Sequence, residues 1–337
     1  MSMKTRPLGR TGLMVSPLTL GTMEFGTKVD DDQANDLFDA ALDSGVNVVD
    51  TANVYGGGRS EELVGRLIAR RRDRLLVATK FSVATDETDP NSSGTSRHNV
   101  ITACEASLRR LQTDHIDIYY VHRPFTQIAI DETLRALDDL ARSGKIRYIG
   151  LSGSAGWQIV DALWCARDLK LNRPAVEQVA YHLLDRRCER DLVPAALTYG
   201  TALTVWSPLA GGLLTGKYLH GAADGTGRLS PDNEWGAKHF TPQATAAVAR
   251  LADVADQMGV SLTALSLAWT LQRSGVASLV LGPRTPAQFT AQLAALDVEL
   301  DATMLDEIDR IVPPGSGTVP YYLDDSFADF RPHPYRW

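Results

Sequence analysis

The sequence predicts an α/β fold, and within that class a (β/α)8 TIM barrel. Short apolar runs of strand length alternate with amphipathic stretches of helix length, and eight such units follow one another along 337 residues. Regular alternation of this kind gives a parallel sheet, and eight units favour closure into a barrel. An open doubly wound sheet is the alternative. However, no GxGxxG motif follows the first strand, and the glycines at 56–58 follow the second strand without that spacing.

The strands are assigned to short runs rich in valine, isoleucine and leucine. After an N-terminal segment at 8–15, expected to form a β-hairpin, they are 18–21, 46–50, 75–81, 116–122, 146–151, 176–180, 202–206 and 278–281. The helices are assigned where apolar residues recur three and four positions apart, as at Val100, Cys104, Leu108 and Leu111. They are 31–44, 60–70, 98–111, 130–143, 156–170, 192–199, 262–272 and 288–296.

Three regions fall outside this repeat. A glycine-rich loop at 211–239 follows the seventh strand, and an extra helix at 242–258 precedes the helix of that unit. A further helix at 304–312 leads into a tail rich in proline and aromatic residues. A structureless loop this long in a compact barrel is usually functional or disordered. The whole chain, 1–337, is interpreted as one barrel domain.

Composition limits the classes of function. The net charge is −7, from 34 basic and 41 acidic residues, which argues against a general nucleic-acid binder. The three cysteines, Cys104, Cys165 and Cys188, have no CxxC spacing and are expected to be free thiols in a reducing compartment. With no visible signal peptide and no apolar run of membrane-spanning length, we expect a cytoplasmic protein that has no membrane partner. The expected partner is a small molecule, and the chain is expected to be a monomer or a homo-oligomer.

Polar residues at three successive strand ends predict a catalytic site. Asp50 ends the second strand and Tyr55 lies five residues beyond it, while Lys80 and His122 lie at the ends of the next two strands. An ammonium beside a phenol favours the phenolate, and a carboxylate pairs with the ammonium. Tyr55 could then act as a general acid or base while His122 orients a carbonyl oxygen. Each residue alone has an ordinary structural explanation, but the set of four indicates protonation of an oxyanion.

A metal-dependent barrel hydrolase is a weaker alternative. Such enzymes need clusters of histidine and carboxylate at strand ends. Of seven histidines, only His122 clearly ends a strand, and His182 lies just past the sixth. We therefore expect no metal cofactor.

The sequence resembles the aldo-keto reductase family over nearly its whole length. The resemblance rests on these motifs: Leu20-Gly-Thr-Met23, Asp50-Thr-Ala-Asn-Val-Tyr-Gly56, Thr79-Lys-Phe81, His122-Arg-Pro124, Gly144-Lys-Ile-Arg-Tyr-Ile-Gly-Leu-Ser152, Gln178-Val-Ala-Tyr181, Trp206-Ser-Pro-Leu-Ala-Gly-Gly-Leu-Leu-Thr-Gly-Lys217 and Gly282-Pro-Arg-Thr-Pro-Ala-Gln288. It implies a catalytic tetrad of Asp50, Tyr55, Lys80 and His122. It also implies reduction of an aldehyde or ketone by hydride transfer from NADPH, with NADH less favoured and Tyr55 as general acid.

The resemblance also implies a set of cofactor contacts. They are Thr22, Met23, Asp50, Ser152, Gln178, Trp206, Ser207, Pro208, Leu209, Gly211, Lys217, Arg228, Gly282, Arg284, Gln288 and Gln292. Ser152 and Gln178 match positions at the nicotinamide carboxamide, and Trp206 matches the aromatic residue that stacks on the ring. Residues 207–217 match the pyrophosphate loop, which Arg228 would assist. Arg284 matches the position for the 2′-phosphate, because a guanidinium binds phosphate in a bidentate manner.

Two departures from the family pattern bear on these contacts. Gly153 stands where many members have asparagine, so one amide contact to the nicotinamide is missing. Ala291 and Gln292 replace an acidic residue and asparagine near the adenine. The adenine contacts and the strictness of the NADPH preference are therefore left open.

Aromatic residues in the expected pocket favour aryl or other bulky carbonyl substrates. The resemblance implies that the loops after strands 4 and 7 and the tail at 313–337 contribute to this substrate pocket. The residues considered are Met23, Phe25, Val54, Phe81, those at 123–126, Trp235, Tyr321, Tyr322, Phe327 and Phe330. Within the family, the sequence is most similar to a bacterial-type group of aryl-alcohol dehydrogenase-like enzymes and reductases of nucleotide-linked keto-deoxysugars. A keto-deoxysugar reductase of secondary metabolism is therefore an alternative.

A second alternative is a nicotinamide-binding regulatory subunit with little turnover. Potassium-channel β-subunits resemble this fold and use bound nicotinamide as a sensor. The resemblance favours an enzyme, because those subunits depart from the motif His122-Arg-Pro124 that this sequence keeps.

Overall fold

A short antiparallel hairpin precedes eight parallel strands that close into a barrel, as the sequence predicts. The structure, a computed structural model, describes residues 3–219 and 239–318. The hairpin strands are β1 (Arg6–Pro7) and β2 (Met14–Val15). The barrel strands are β3 (Leu18–Gly21), β4 (Val48–Asp50), β5 (Leu76–Phe81), β6 (Ile116–Val121), β7 (Ile146–Ser152), β8 (Pro174–Ala180), β9 (Ala202–Trp206) and β10 (Val276–Leu281). β10 pairs with β3 and closes the ring, so the doubly wound alternative is wrong.

Helices surround the barrel, one after each of the strands β3 to β8 and pairs after β9 and β10. They are α1 (Asp31–Asp43), α2 (Arg59–Ile68), α3 (Arg97–Leu111), α4 (Ile130–Arg142), α5 (Gly156–Leu169), α6 (Leu192–Tyr199), α7 (Pro242–Gln257), α8 (Leu262–Leu271), α9 (Pro286–Leu293) and α10 (Ala302–Ile311). The two helices outside the repeat, α7 and α10, match the extra helices expected from the sequence.

The helix after β10 differs from its predicted range of 288–296. It begins earlier, at Pro286, because the Thr285 hydroxyl accepts the Gln288 N–H at 3.2 Å and proline suits the first helical turn. It ends at Leu293, and a 3₁₀ turn over Ala294–Asp297 follows. Similarly, α10 begins at Ala302 because Asp301 accepts the Met304 N–H at 2.9 Å.

The hairpin seals the N-terminal end of the barrel. Leu8 and Val15, which are 0% and 1% exposed, pack with inward-facing Val48, Ile118 and Val176 in one apolar cluster. The inside of the barrel is therefore a packed core at this end. The polar side chains of the candidate site lie toward the opposite end, at the C-terminal ends of the strands.

A larger apolar core fills the space between the barrel and its helices. Trp269 on α8 is fully buried there, and Phe81 stacks on Tyr119 with ring centroids 4.8 Å apart. Cys104 and Cys188 are buried, Cys165 is partly exposed, and all three are free thiols. Among the helices of the described ranges, none is long and apolar enough to cross a membrane.

Candidate active site

The adjacent ends of β4 and β5 bring a lysine and a carboxylate together inside the barrel. Lys80 is fully buried, and its Nζ forms an ion pair with Oδ1 of Asp50, which is 3% exposed. Burial acts to lower the pKa of Lys80, but the charge of Asp50 and the phenol of Tyr55 together hold that pKa above its ordinary value. Lys80 is therefore an ammonium near neutral pH.

Further hydrogen bonds satisfy this ion pair. Lys80 Nζ also donates to the carbonyl oxygen of Thr51 at 2.8 Å, and Gln178 Nε2 donates to Oδ2 of Asp50 at 2.8 Å. The bond between Gln178 and Asp50 was not predicted from the sequence. The available signal was two adjacent polar residues, Glu177 and Gln178, within an otherwise apolar strand. Gln178 therefore links the ion pair to β8, across the barrel.

Tyr55 begins a 3₁₀ turn, Tyr55–Gly58, between β4 and α2. Gly56, Gly57 and Gly58 all have left-handed backbone conformations, with φ of 58°, 65° and 96°. A Cβ at Gly58 would lie 2.9 Å from Cδ of Arg110, and one at Gly56 would lie 3.1 Å from Cγ2 of Thr27. Glycine is therefore required here both by conformation and by space. The turn returns the chain sharply and leaves Tyr55 at the barrel mouth.

The hydroxyl of Ser60, at the start of α2, fixes the base of this turn. Ser60 Oγ donates to the carbonyl oxygen of Thr22 at 2.7 Å and lies 2.8 Å from Oγ1 of Thr51. Thr22 Oγ1 in turn donates to the carbonyl oxygen of Asp50 at 3.0 Å. Both Ser60 and Thr22 are fully buried. They tie the ends of β3 and β4 to the helix that follows Tyr55.

A second buried network, which the sequence analysis missed, involves Thr79, the residue on β5 that directly precedes Lys80. The Thr79 hydroxyl donates to Oε1 of Glu61 at 2.5 Å, and Arg110 Nε donates to Oε2 of Glu61 at 2.7 Å. Glu61 is fully buried, so its charge needs this pairing. The network locks α2 and α3 to the strand that carries the lysine.

The aromatic rings of Tyr55 and His122 meet edge to face beside the ammonium. Lys80 Nζ lies 5.1 Å from the centroid of the Tyr55 ring, and the Tyr55 and His122 ring centroids are 5.8 Å apart at 84°. Burial, and then the charges of Lys80 and Arg123, hold the pKa of His122 well below its ordinary value. His122 is therefore neutral, and its Nδ1 is buried without a hydrogen-bond partner in the described part of the chain. The structure brings together all four residues predicted as the tetrad.

Three predicted nicotinamide contacts lie at the ends of successive strands. Ser152 ends β7 opposite Gln178 of β8, and its Oγ donates to the carbonyl oxygen of Gln178 at 3.0 Å. Trp206 ends β9 opposite Ala180 and is half-buried. These three residues lie on neighbouring strands, β7 to β9, with β7 next to the strand that His122 follows and β8 across the barrel from β4, which precedes Tyr55.

The chain after β9 has an unusual backbone suited to an anion. Ser207 and Gly211 have φ of 54° and 65°, and Gly212 has φ of 104° within the 3₁₀ helix Ala210–Thr215. A Cβ at Gly212 would lie 3.7 Å from Nζ of Lys217, so the ammonium lies beside bare backbone. Pro208 is buried and Leu209 half-buried along the same turn. Strained backbone of this kind concentrates at ligand-binding sites.

The start of α9 offers a second site suited to a phosphate. The Arg284 N–H donates to Oε1 of Gln288 at 2.8 Å, and the Arg284 guanidinium lies 3.9 Å from Oε1 of Glu24. A Cβ at Gly282 would have open space around it. Further along the helix, Oε1 of Gln292 is buried without a hydrogen-bond partner in residues 3–219 and 239–318. These features fit the phosphate and adenine of a dinucleotide.

Some predicted site residues are placed differently. The hydroxyl of Thr22 is engaged inside the barrel, so a cofactor contact by this residue stays a prediction, as it does for half-buried Met23. Phe25 and Phe81, considered as pocket walls, instead pack in the main apolar core. Several predicted contributors lie outside the described residues: Arg228, Trp235, Tyr321, Tyr322, Phe327 and Phe330. In the described ranges, no group of three or more His, Cys, Asp or Glu side chains is placed to hold a metal ion.

Comparisons with known proteins agree with this geometry. The model of the "Aldo/keto reductase family" matches residues 17–313. The "Uncharacterized oxidoreductase YrpG" of Bacillus subtilis is 37% identical, covering 93% of this chain and 97% of the relative. Proteins named "Probable voltage-gated potassium channel subunit beta" from Arabidopsis thaliana and Oryza sativa subsp. japonica are 34% and 36% identical, each over 92% of this chain and 97% of the relative. The chain belongs to the aldo/keto reductase family, and is an oxidoreductase of the type that acts on carbonyl groups with nicotinamide cofactors.

Proposed function

We propose that the protein reduces an aldehyde or ketone to the alcohol with NADPH, and that Tyr55 donates the proton. One observation carries this proposal: a fully buried Lys80 ammonium, paired with Asp50, lies beside the Tyr55 ring and opposite a neutral His122. Burial of an ammonium is energetically unfavourable because the charge loses its hydration. Here that charge stabilises the phenolate that Tyr55 becomes after giving up its proton.

In this proposal, the substrate carbonyl oxygen binds between Tyr55 and His122. A neutral imidazole donates a hydrogen bond to this oxygen without carrying a charge of its own, which orients the carbonyl. When bound, the reduced nicotinamide supplies the hydride to the carbonyl carbon. As negative charge develops on the oxygen, the Tyr55 hydroxyl transfers its proton there, and Lys80 holds the resulting phenolate.

The residues present fit NADPH. Ser152 and Gln178 offer hydrogen-bonding groups for the carboxamide, and Trp206 offers a stacking surface. The backbone at 207–212 together with Lys217 suits the pyrophosphate. Arg284 suits the 2′-phosphate, which distinguishes NADPH from NADH. The orphaned Gln292 Oε1 suits the adenine amino group, in place of the residues that the family pattern leads one to expect.

The partner is proposed to be a small carbonyl compound. Aryl aldehydes and bulky ketones suit the half-buried Trp206 and Phe125 near the mouth. A nucleotide-linked keto-deoxysugar is the alternative substrate class. The cytoplasmic location and the oligomeric state expected from the sequence stay predictions.

A nicotinamide-binding regulatory subunit is the second candidate function. It is favoured by the similarity to two plant proteins whose names describe channel β-subunits, at 34% and 36% identity. Such a role predicts tight retention of the cofactor with very slow turnover. The complete arrangement of Asp50, Tyr55, Lys80 and His122 supports turnover instead.

Oxidation of NADPH against a panel of carbonyls tests these alternatives. The panel should contain aryl aldehydes, aliphatic ketones and a nucleotide-linked keto-deoxysugar, and it should be repeated with NADH. We expect multiple turnovers with at least one class and a preference for NADPH. Tight NADPH binding without turnover on any member of the panel would instead support the regulatory candidate.

A further inference from the structure

A carboxyl group that the proposed reaction does not use is buried next to the cofactor residues. Glu177 on β8 is 0% exposed and directly precedes Gln178. Its Oε1 accepts the Ser154 N–H at 2.9 Å, while its Oε2 is buried without a hydrogen-bond partner in the described part of the chain. Carboxyl groups are almost never fully buried unless they are paired, so this placement calls for an explanation.

Glu177 is one of two adjacent β8 residues that fasten the turn after β7. The Ser152 hydroxyl and the Gly153 N–H both donate to the carbonyl oxygen of Gln178, at 3.0 and 3.1 Å. The Ser154 N–H donates to the carboxyl of Glu177. Three consecutive residues of the turn are therefore bound to two consecutive residues of β8. Removal of the Glu177 carboxyl would leave the Ser154 N–H without this acceptor, between the bonds of Gly153 and those at the start of α5.

Residues 155 and 156, at the start of α5, are held from elsewhere, because the Ala155 N–H donates to Oε1 of Gln158 at 2.8 Å and the Gly156 N–H donates to Oδ2 of Asp191 at 3.0 Å. Between them and β7, the position at Gly153 contributes no side-chain bond. Gly153 has φ of 70°, a conformation that suits glycine, and it carries no side chain to make a bond of its own. The nearest atom to a Cβ built at Gly153 would be Cδ of Pro124, 4.0 Å away. Where the family pattern has asparagine, this chain therefore has no side chain and unfilled space. The hydrogen bond from the Ser154 N–H to Glu177 then fixes this part of the turn.

Glu177 binds the turn as an uncharged group. Burial raises the pKa of Glu177 to about 8. Near neutral pH the group is therefore a carboxylic acid, whose carbonyl oxygen accepts the Ser154 N–H without introducing a buried charge. Glutamine, which is neutral and of the same shape, should replace it with little change.

We propose that Glu177 is a positioning residue for the cofactor, which fixes the turn at 152–154 so that Ser152 and Gln178 present their polar groups together at the nicotinamide end. The role in cofactor binding rests on the proposed function. The fastening of the turn does not, because it follows from contacts within the chain alone.

Variants of Glu177 test the proposal in two independent measurements. Glu177→Gln keeps the acceptor, Glu177→Met keeps the length and loses the acceptor, and Glu177→Asp withdraws the carboxyl by one methylene. Hydrogen exchange of the peptide spanning 152–156, measured without cofactor, should be faster at the Ser154 amide by about tenfold in the Met and Asp variants and unchanged in the Gln variant. The dissociation constant for NADPH should rise about tenfold in the same two variants, with kcat at saturating NADPH lowered less than threefold.

Asp138 provides a matched control. It is a buried carboxylate on α4 that accepts the Asn172 N–H at 2.7 Å, ahead of the first residue of β8 and so at the end remote from the site. Asp138→Leu should lower stability and leave both exchange at 152–156 and NADPH affinity unchanged. If it weakens NADPH binding as much as Glu177→Met does, the effect is general destabilisation and the proposal is overturned.

The two possible failures are distinguishable. If wild-type protein binds no NADPH, the proposed function fails, and exchange at 152–156 still decides whether Glu177 fastens the turn. If wild-type protein binds NADPH and the Met and Asp variants match it in both exchange and affinity, the positioning role is wrong. Should the Met variant fail to fold, the Asp variant carries the same test.

Discussion

The ammonium of Lys80 is bound to the carboxylate of Asp50 inside the barrel, and both side chains are almost completely buried. Each charge depends on the other, because an unpaired ion at this depth is strongly unfavourable. Gln178 and the Thr51 carbonyl complete the hydrogen bonds of the pair. The pair therefore serves both the stability of the barrel and the charge state of the proposed site.

Replacing one member of this pair should destabilise the fold. Asp50→Asn leaves Lys80 buried without an anion, and we expect the free energy of unfolding to fall by about 3–5 kcal/mol. Because the folded pKa of Lys80 is raised above its ordinary value of 10.5, the pair stabilises the fold below that pH and loses its effect as the pH rises through the folded value. Urea denaturation at several pH values measures this.

The double variant Asp50→Leu with Lys80→Met is the control, because it removes both charges. It should be more stable than Asp50→Asn, although inactive. If the double variant is the less stable of the two, the buried pair is not the source of the effect.

The proton donor is tested by Tyr55→Phe, which removes one oxygen and keeps the ring. We expect kcat to fall by about 10²–10⁴-fold, the usual contribution of a general acid, while the dissociation constant for NADPH changes less than twofold. Steady-state kinetics and quenching of protein fluorescence by NADPH measure the two quantities.

Tyr148→Phe on β7 is a matched control, since Tyr148 packs against the apolar cluster at the sealed end of the barrel. This variant should retain wild-type turnover. Unchanged kcat in Tyr55→Phe would show that another group donates the proton.

The neutrality of His122 predicts a specific response to pH. Its pKa lies well below the ordinary value of 6.5, so kcat should show no limb from His122 between about pH 6 and 8. In the unfolded chain the imidazole gains a proton near pH 6.5, and the folded protein does not bind it. Stability should therefore be lost as the pH falls below 6.5.

His122→Asn removes the titrating group and gives the comparison. Thermal unfolding from pH 7.5 to 5 should show a smaller loss of stability in the Asn variant than in the wild type. A wild-type rate limb near pH 6.5 that disappears in the variant would contradict the buried neutral imidazole.

The preference for NADPH is predicted to depend on Arg284. Arg284→Gln should weaken NADPH binding by about 10- to 100-fold, the effect of losing charge-assisted hydrogen bonds to a phosphate, and leave NADH binding nearly unchanged. Arg310→Gln removes an exposed arginine on α10 and should alter neither affinity. If Arg284→Gln weakened NADPH and NADH binding equally, Arg284 would not be the residue that binds the 2′-phosphate.

Much of the fold was predictable because its signals are local. Each barrel strand was predicted within a few residues, since apolar runs of strand length between helical stretches are independent of long-range contacts. The least accurate helix was the one after β10, where the cap at Thr285 and a 3₁₀ turn set the ends. Caps and turns depend on single hydrogen bonds, which composition and periodicity do not specify.

The tetrad was predictable for a related reason. In a parallel barrel the C-terminal ends of all strands lie at the same face, so polar residues at the ends of β4, β5 and β6 converge. By contrast, neither Glu61, on a helix, nor Glu177, within a strand, lies at a strand end. Their burial and their partners, Arg110 and Thr79 for Glu61 and Ser154 for Glu177, depend on how helices and turns pack on the barrel.

The sequence by itself determined the alternation of strands and helices, favoured a closed barrel over an open sheet, and indicated the four residues that meet at the barrel mouth. Only the tertiary structure decided that Lys80 is charged and His122 neutral, that Gln178 binds Asp50, and that Phe25 and Phe81 belong to the core. The physical reason is that periodicity along the chain specifies which face a residue occupies. Charge state and hydrogen-bond partners depend on burial and on neighbours brought from distant parts of the chain.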